Sequence, residues 1–236
     1  DNVVEPSVKM KWYTGITFLK YIETIEINRE KDFHLARFPV QTVLRPLSSE
    51  YHDYRGYAGR VAGGTFRPGD EIIALPSMIR SKIKNINDAE RIVSEAVTGD
   101  SVSITLDDPI DIGRGDMIVK PGEIPRSGQD ISMMVCWFNE RPLKPRGKYL
   151  IRNNSSETTC IIKSINYRMN MKTLERDTAD LTTKMNDISN ISIHTANPIF
   201  HDAYVQNNIT GSMIFIGEGT NETVAAGMIM YESDAK

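Results

Sequence analysis

The chain has 236 residues, a mass of 26.6 kDa, a formal net charge of −3 and a sequence pI near 5.9. This length fits one large domain or two of roughly 100 residues each. The net acidity provides no global positive field that would attract nucleic acid or anionic lipid. No apolar stretch approaches the ~18 residues of a membrane-spanning helix, and no segment has the pattern of a signal peptide. The composition therefore predicts a cytoplasmic globular protein without a membrane partner, and it disfavours nucleic acid as a ligand.

The two cysteines, Cys136 and Cys160, lie inside apolar runs that have the character of strands. Neither has a second ligand at metal-binding spacing. In a chain of this length such cysteines are typical of buried thiols in a reducing compartment, and a disulfide framework is not indicated.

The first segment has the apolar spacing of a helix, with residues three and four positions apart. These apolar residues are Trp12, Ile16, Leu19, Ile22 and Ile25. The pattern predicts a short helix from near Gly15 to near Ile27, with Thr14 as its cap. A charged connector, residues 29–32, follows it.

From Phe33 onward the sequence changes to short strands separated by turns. The predicted strands of the first half are 38–45, 57–64, 71–76, 81–86, 96–98, 101–106 and 117–119. Pro68-Gly69 and Gly99-Asp100 mark turns, and the glycines of 57–64 predict a bend or a close backbone approach. Strands of this length, spaced by roughly ten residues, are typical of a closed antiparallel barrel.

A segment rich in proline and glycine, residues 121–128, marks the boundary to a second β unit. Its predicted strands are 130–138, 147–152, 157–167, 188–195 and a last pair within 212–231, joined by a hairpin loop at 217–222. Residues 176–185 fit either a short helix or an irregular crossing. The predicted fold is all-β, with a first barrel at 31–122 and a second at 123–236, preceded by a separate segment at 1–30.

Motifs for nucleotide binding or catalysis are not found. The sequence has no Gly-x-x-x-x-Gly-Lys-Ser/Thr loop for phosphates, no Asn-Lys-x-Asp motif and no strand-to-helix nucleophile elbow. Asp53-Tyr54-Arg55-Gly56 matches a bare Asp-x-x-Gly pattern without a phosphate loop upstream. The four histidines, His34, His52, His194 and His201, are scattered, and the aspartates of 107–116 do not have calcium-loop spacing. We predict no catalytic, cofactor-binding or metal-binding residue in this chain.

One compact positive loop stands out in the second β unit, close in sequence to Trp137 and Phe138. Its basic residues are Arg141, Lys144, Arg146 and Lys148, with Pro142, Pro145 and Gly147 between them. The functional interpretation is a contact for a protein partner or for phosphate groups. The alternative is an ordinary solvated loop that precedes a strand.

Several short motifs, in order along the chain, resemble the large, GTP-binding subunit of sulfate adenylyltransferase. They are Asp1-Asn2-Val3-Val4, 10–15 with Phe18-Leu19, Phe38-Pro39-Val40-Gln41, 54–59, 68–71 with 75–77, 111–117, 207–212 and 220–229. The departures are Asn208, where a basic residue is expected, Ala225, where a glycine is usual, and an altered loop at 49–52. The Pro-Gly-Asp and Arg-Gly-Asp turns alone indicate the wider class of translation-factor barrels.

The resemblance implies the two barrels of a GTP-regulated nucleotidyltransferase subunit, preceded by a short helix left from its GTPase domain. That heterodimeric enzyme of sulfate assimilation makes adenosine 5′-phosphosulfate and pyrophosphate from ATP and sulfate. GTP and Mg²⁺ would be bound by the subunit's own GTPase domain, and ATP by the small catalytic subunit. The barrels of this chain would contact both the GTPase domain and the small catalytic subunit, without catalysing the reaction themselves. Whether a fused adenylylsulfate kinase follows stays open.

Two other functions are considered. The first is an RNA-binding barrel pair like that of a translation elongation factor, with the 141–148 loop on the nucleic acid. The net acidity and the motifs Asp1-Asn2-Val3-Val4 and Phe38-Pro39-Val40-Gln41 argue against it. The second is a free-standing β-rich enzyme, for which the sequence provides no nucleophile, base or metal cluster.

Overall fold

The computed structural model describes residues 2–25, 34–45, 54–89 and 91–231. The chain divides into two compact units, Asp1–Lys31 and Asp32–Lys236. The altered loop at 49–52 with His52, the residue Asp53 and the predicted helix end at Ile27 lie outside the described residues. The first unit contains one helix, and the second contains the strands.

Helix α1 of the first unit spans Phe18–Thr24 and is shorter than predicted. Its cap is Thr17, whose side chain accepts a hydrogen bond from the Lys20 backbone nitrogen at 3.3 Å. The prediction of Thr14 as the cap and of a start near Gly15 is wrong. The residues before Thr17 form turns instead, because Tyr13 donates its hydroxyl hydrogen to the Ile16 carbonyl across Gly15.

In the described residues, the first barrel has nine strands, all paired antiparallel. They are β1 (Phe38–Leu44), β2 (Gly56–Arg60), β3 (Thr65–Phe66), β4 (Glu71–Leu75), β5 (Ile79–Asp88), β6 (Arg91–Val93), β7 (Ala96–Val97), β8 (Ser101–Leu106) and β9 (Met117–Val119). The main sheet has the order β4-β9-β1-β2-β8-β5-β6, and pairing of β4 with β5 closes it. Strands β3 and β7 form a separate pair.

The interior of this barrel is filled by the alternate, apolar side chains of its strands, including Phe38, Phe66 and Ile104, all fully buried. The predicted turn before β4 is present, with Gly69 at φ +88°, a conformation that glycine adopts without strain. The predicted strand 57–64 ends early, at Arg60. Its continuation leaves the ladder because Ala62 donates its backbone N–H to Arg37, outside β1.

The second barrel is made from seven strands. They are β10 (Arg126–Trp137), β11 (Lys148–Asn153), β12 (Ser156–Met169), β13 (Arg176–Asp177), β14 (Ile188–His201), β15 (Ser212–Gly217) and β16 (Thr223–Met230). Their order is β11-β15-β16-β10-β14-β12-β13, and pairing of β11 with β12 closes the sheet. Residues 176–185, left open by the sequence, contain β13 and then turns. The Asp177 and Asp180 side chains accept backbone N–H groups there, so no helix forms.

The two barrels contact each other through a buried polar network, here called the barrel interface. The Arg37 guanidinium of the first barrel donates to both carboxylate oxygens of Asp202 in the second, at 2.8 and 2.9 Å. Asn207 donates its side-chain amide to the Ala62 carbonyl at 2.8 Å. The Ser155 hydroxyl donates to the Val40 carbonyl at 2.7 Å. These bonds link residues more than 100 positions apart, so they fix the barrels against each other.

The predicted all-β class with two closed antiparallel sheets is confirmed. The strands fall on either side of residues 121–125, but the exact domain limits after residues 30 and 122 stay predictions. Within the described ranges, no helix has the length and apolar character to cross a membrane.

Candidate functional site

The basic loop lies at one end of the second barrel, where it borders a cavity of about 770 Å³, here called the mouth pocket. The pocket forms where three connections meet: the β10–β11 loop, the residues before β14, and the β15–β16 hairpin. Ligand sites occur often in the mouths of barrels.

Aromatic packing fixes the floor of the mouth pocket. Trp137 is 2% exposed, and its indole N–H donates to the Arg141 carbonyl at 2.7 Å. Its ring meets Tyr149 edge-on at 5.7 Å, and Tyr149 meets Phe215 in the same way at 6.3 Å. Burial raises the pKa of Tyr149, so its phenol stays neutral at physiological pH. The floor is therefore rigid and uncharged.

Hydrogen bonds from the backbone hold the basic loop in place. Leu143 is buried, and its N–H donates to the Thr183 carbonyl at 2.9 Å. Gly147 donates to the Lys144 carbonyl at 3.0 Å, and Arg146 donates to the Ile162 carbonyl at 3.1 Å. The loop is thus anchored at its middle and at its end. An ordinary mobile solvated loop would not have these anchors.

The structure brings three of the four predicted contact residues to the pocket, Arg141, Lys144 and Lys148. Arg146 is not among the lining residues. Its backbone, at φ +59°, turns the chain toward β12 instead. In the described part of the chain, none of the four basic side chains forms an ion pair within 4 Å.

The sequence alone did not indicate the acidic side of the same pocket. Glu218 and Glu222 come from the β15–β16 hairpin, and Glu140 precedes the basic loop. The hairpin is closed by the Gly217 N–H, which donates to the Glu222 carbonyl at 2.8 Å. Basic and acidic side chains therefore share one rim, above an aromatic floor.

Two apolar side chains stand exposed at the rim, Phe138 at 44% and Met185 at 47%. Exposed aromatic and thioether side chains beside arginine are typical of anchor positions in protein interfaces. The mixed charge gives a partner both attractive and repulsive contacts, which favours specificity more than affinity.

Other side chains with potential chemistry have structural roles. Among the described residues, no group of three or more His, Cys, Asp and Glu side chains is arranged for a metal ion. Asp116 accepts the Gly113 N–H within its own turn, and Asp111 pairs with Arg55. His201 is buried against Tyr231, and its burial lowers its pKa. Burial raises the pKa of the Cys160 thiol to about 12, so it is not a nucleophile at neutral pH.

Comparison with known proteins identifies the second barrel. Residues 130–230 match the family described as GTP-eEF1A C-terminal domain-like. The structure of sup35 complexed with GDP superimposes with a TM-score of 0.75 at 14% sequence identity, over 98% of this chain and 56% of that one. This likeness confirms that the barrels are of the translation-factor type.

Curated relatives extend the similarity to the whole chain. The bifunctional enzyme CysN/CysC of Rhodopirellula baltica is 38% identical over 98% of this chain and 35% of its own length. Sulfate adenylyltransferase subunit 1 is 38% identical in Colwellia psychrerythraea and 36% in Bacteroides thetaiotaomicron, over 100% of this chain and 50% of each relative. The chain thus spans half or less of the length of these relatives. Along its whole length, the chain is similar to sulfate adenylyltransferase subunit 1 and to the bifunctional enzyme CysN/CysC.

Proposed function

We propose that this chain forms the non-catalytic barrel portion of the GTP-regulated subunit of a sulfate adenylyltransferase. The complete enzyme converts ATP and sulfate into adenosine 5′-phosphosulfate and pyrophosphate, and GTP hydrolysis drives this synthesis. The observation that carries the proposal is the similarity of 36 to 38% to proteins named for this activity, over essentially all 236 residues.

In this proposal the chain binds no nucleotide itself. GTP and Mg²⁺ are bound by a GTPase domain of the longer protein, and ATP by the small catalytic subunit. The barrels connect the two. Loss of the γ-phosphate reorders switch loops of a GTPase, and a rigid neighbour converts that change into a shift at a distant contact. The barrel interface supports this role, because its buried hydrogen bonds hold the two barrels together, so that they act as a single neighbour of the GTPase domain.

The mouth pocket is the proposed contact for the catalytic subunit. It offers the exposed side chains Phe138 and Met185 as anchors, surrounded by charges of both signs. Interfaces with a few aromatic anchors inside a polar rim are typical of protein partners. The fixed loop backbone lowers the entropy that binding must remove.

The RNA-binding alternative is less well supported by this geometry. An RNA backbone carries a phosphate at every nucleotide, and a protein's affinity for it rises with the number of phosphates that lysine and arginine side chains neutralise. Here Glu140, Glu218 and Glu222 lie on the same rim as the three basic residues, so they would repel the phosphates that the cations attract.

The test is isothermal titration calorimetry of the 236-residue chain with the small catalytic subunit of sulfate adenylyltransferase. We expect saturable binding of the wild type. The double variant Lys144→Glu/Lys148→Glu should bind at least about tenfold more weakly, because like charges then face the partner. Lys172→Glu is the matched control, since it reverses one exposed lysine in the β12–β13 connection, away from the pocket.

Each outcome has a distinct meaning. A folded wild type that shows no heat of binding contradicts the partner role. Binding that Lys144→Glu/Lys148→Glu leaves unchanged removes the mouth pocket from the interface but not the partner role. Retention of transfer RNA by the wild type, with a steep loss as salt rises, would favour the RNA-binding alternative.

A further inference from the structure

The second barrel carries an unusual set of sulfur atoms on its outer side. Along β10, Met133 and Val135 are fully buried, whereas Met134 and Cys136 between and beyond them are half-buried and face outward. Strand β16 has the same alternation, with Ile229 buried and its neighbours half-buried. Because side chains alternate between the faces of a strand, one outer surface collects all of these sulfurs. We call it the thioether face, formed by Met134, Cys136, Met228 and Met230.

Strand register places the three methionines of this face around one point. Met134 is directly opposite Met228 on β16. Met230 is opposite Ser132, and is therefore the diagonal neighbour of Met134. Directly opposite Cβ atoms lie about 4.5–5.5 Å apart and diagonal neighbours about 7–8 Å. Since a methionine side chain has three rotatable bonds, the sulfurs of Met134, Met228 and Met230 can reach a common centre. Cys136 is opposite Ala226, four positions along β16 from Met230, and cannot share that centre.

Two of the sulfurs are already gathered by one amide group. The Asn190 side-chain nitrogen lies 3.6 Å from the Met134 sulfur and 3.9 Å from the Met230 sulfur. Asn166 donates to the Asn190 side-chain oxygen at 2.7 Å, which fixes the orientation of that amide. The Tyr167 hydroxyl lies 3.5 Å from the Met134 sulfur. Thioether sulfur is a weak acceptor, so these contacts hold the sulfurs less firmly than an oxygen acceptor would be held.

The geometry points to a binding site for a soft monovalent metal ion, Cu(I) or its analogue Ag(I), on the thioether face. Thioether and thiolate ligands select Cu(I) over hard cations such as Mg²⁺ and Ca²⁺. The outward neighbours Ser132, Ser192 and Ala226 carry no charge. The Arg176 guanidinium lies over the Tyr167 ring, 5.0 Å from its centre. Methionine belongs to neither the carboxylate nor the imidazole donors of common metal sites, so the site does not conflict with the absence of such clusters among the described residues.

The proposed ligands contribute unequally to binding of the ion. Met134 is central, because it lies opposite Met228 and shares the Asn190 amide with Met230. The three methionines are the proposed ligands, and the Cys136 thiol is not one of them. If the Cys136 thiol alone bound the ion, removal of the methionine sulfurs would leave the Cu(I) affinity unchanged. A competition titration measures this difference.

The test is an anaerobic competition titration of the 236-residue chain with Cu(I) against a chromophoric Cu(I) chelator. We expect one Cu(I) per wild-type chain. The double variant Met134→Leu/Met230→Leu should bind at least about tenfold more weakly. Leucine conserves the volume of methionine closely enough for the fold to persist, which thermal unfolding checks. Met171→Leu is the matched control, since Met171 is 57% exposed in the β12–β13 connection, and it should bind Cu(I) like the wild type.

A second measurement needs no variant. In a chain with ¹³C-labelled methionine methyl groups, Ag(I) should shift the resonances of Met134, Met228 and Met230 and leave that of Met171 in place. Unchanged Cu(I) affinity in Met134→Leu/Met230→Leu would overturn the proposal. So would complete loss of binding in Cys136→Ser together with unshifted methionine methyl groups, because the metal would then be a simple thiol adduct.

Discussion

Arg37 is 1% exposed, and its guanidinium reaches from the first barrel to Asp202 of the second. Its other donors are also used, by the carbonyls of Ala36 and Glu123. Asp202 in turn accepts the hydroxyl hydrogen of Thr210. Burial alone would raise the pKa of Asp202, but the hydrogen bonds and charge of Arg37 outweigh it and hold that pKa below its usual value. The pair is therefore fully satisfied as an ion pair, and each member depends on the other.

Removal of Arg37 alone should be strongly destabilising. Arg37→Met leaves a buried carboxylate without its partner, which costs about 3–5 kcal/mol of the free energy of unfolding. Arg37→Met/Asp202→Leu removes both charges and should recover part of that loss. The exposed pair of Arg67 with Glu95 provides the control, because Arg67→Met should cost at most about 1 kcal/mol. Urea unfolding measures all three variants.

The Arg37–Asp202 pair also makes the free energy of unfolding depend on pH. The pKa of Asp202 is lower in the folded state than in the unfolded state, so the unfolded chain binds more protons at acidic pH. Its stabilisation is present above the usual aspartate pKa of 3.8 and is lost as the pH falls through the lower, folded-state value. Arg37→Met should reduce this loss of stability at acidic pH. A variant as stable as the wild type, or one with the same acid profile, would contradict the role assigned to Arg37.

Sequence reasoning found one half of the candidate site and missed the other for a physical reason. Arg141, Lys144 and Lys148 are neighbours in the chain, so a local charge pattern reveals them. Glu218 and Glu222 reach the same rim only because β15 pairs with both β11 and β16. No local pattern encodes that pairing. Arg37 and Asp202 are separated by 165 positions and were missed for the same reason.

At the scale of the elements, alternation of apolar residues predicted the strands well. It failed where a contact distant in sequence decides where a strand ends. Strand β2 stops at Arg60 because the next residues bond to Arg37 and Asp100 instead of continuing the ladder. Helix α1 starts later than predicted because periodicity locates a helical face better than it locates the first turn. The glycines of β2 were predicted to allow close approach, and Gly59 shows it.

Gly59 is a position where a methyl group has no space. A Cβ there would lie 2.4 Å from the Pro39 carbonyl oxygen, a backbone atom of the adjacent strand β1. We expect Gly59→Ala to lower the free energy of unfolding by about 1–3 kcal/mol, as overpacking does. Gly128→Ala is the matched control, because β10 leaves open space around Gly128. Thermal unfolding compares the two. Equal stability of both variants would show that β1 and β2 can separate without cost.

At the scale of the whole molecule, strand length and spacing predicted the two closed sheets, and motif order predicted the similarity to sulfate adenylyltransferase subunit 1. The barrel interface could not be predicted in this way, because its polar residues appear in the sequence as ordinary surface positions. Only closure of both sheets brings Asn207 to Ala62 and Ser155 to Val40.

A nucleotide titration tests the proposal that GTP is bound by a GTPase domain and not by these barrels. We expect titration of the 236-residue chain with GTP and Mg²⁺ to give no saturable heat, because the chain contains no phosphate-binding loop. The control is the same titration with a longer homologue, such as a sulfate adenylyltransferase subunit 1, which should bind. Saturable binding by the 236-residue chain would place a nucleotide site within these residues and overturn the proposal.

Closure of the two sheets has a consequence for self-association. A strand with an unpaired side is a template on which other chains assemble into fibrils. In the two seven-stranded sheets, the terminal strands are β6, three residues long, and β13, two residues long. Each begins with an arginine, Arg91 or Arg176. Such short borders give an incoming chain few hydrogen bonds, so this β-rich molecule should resist amyloid growth while it remains folded.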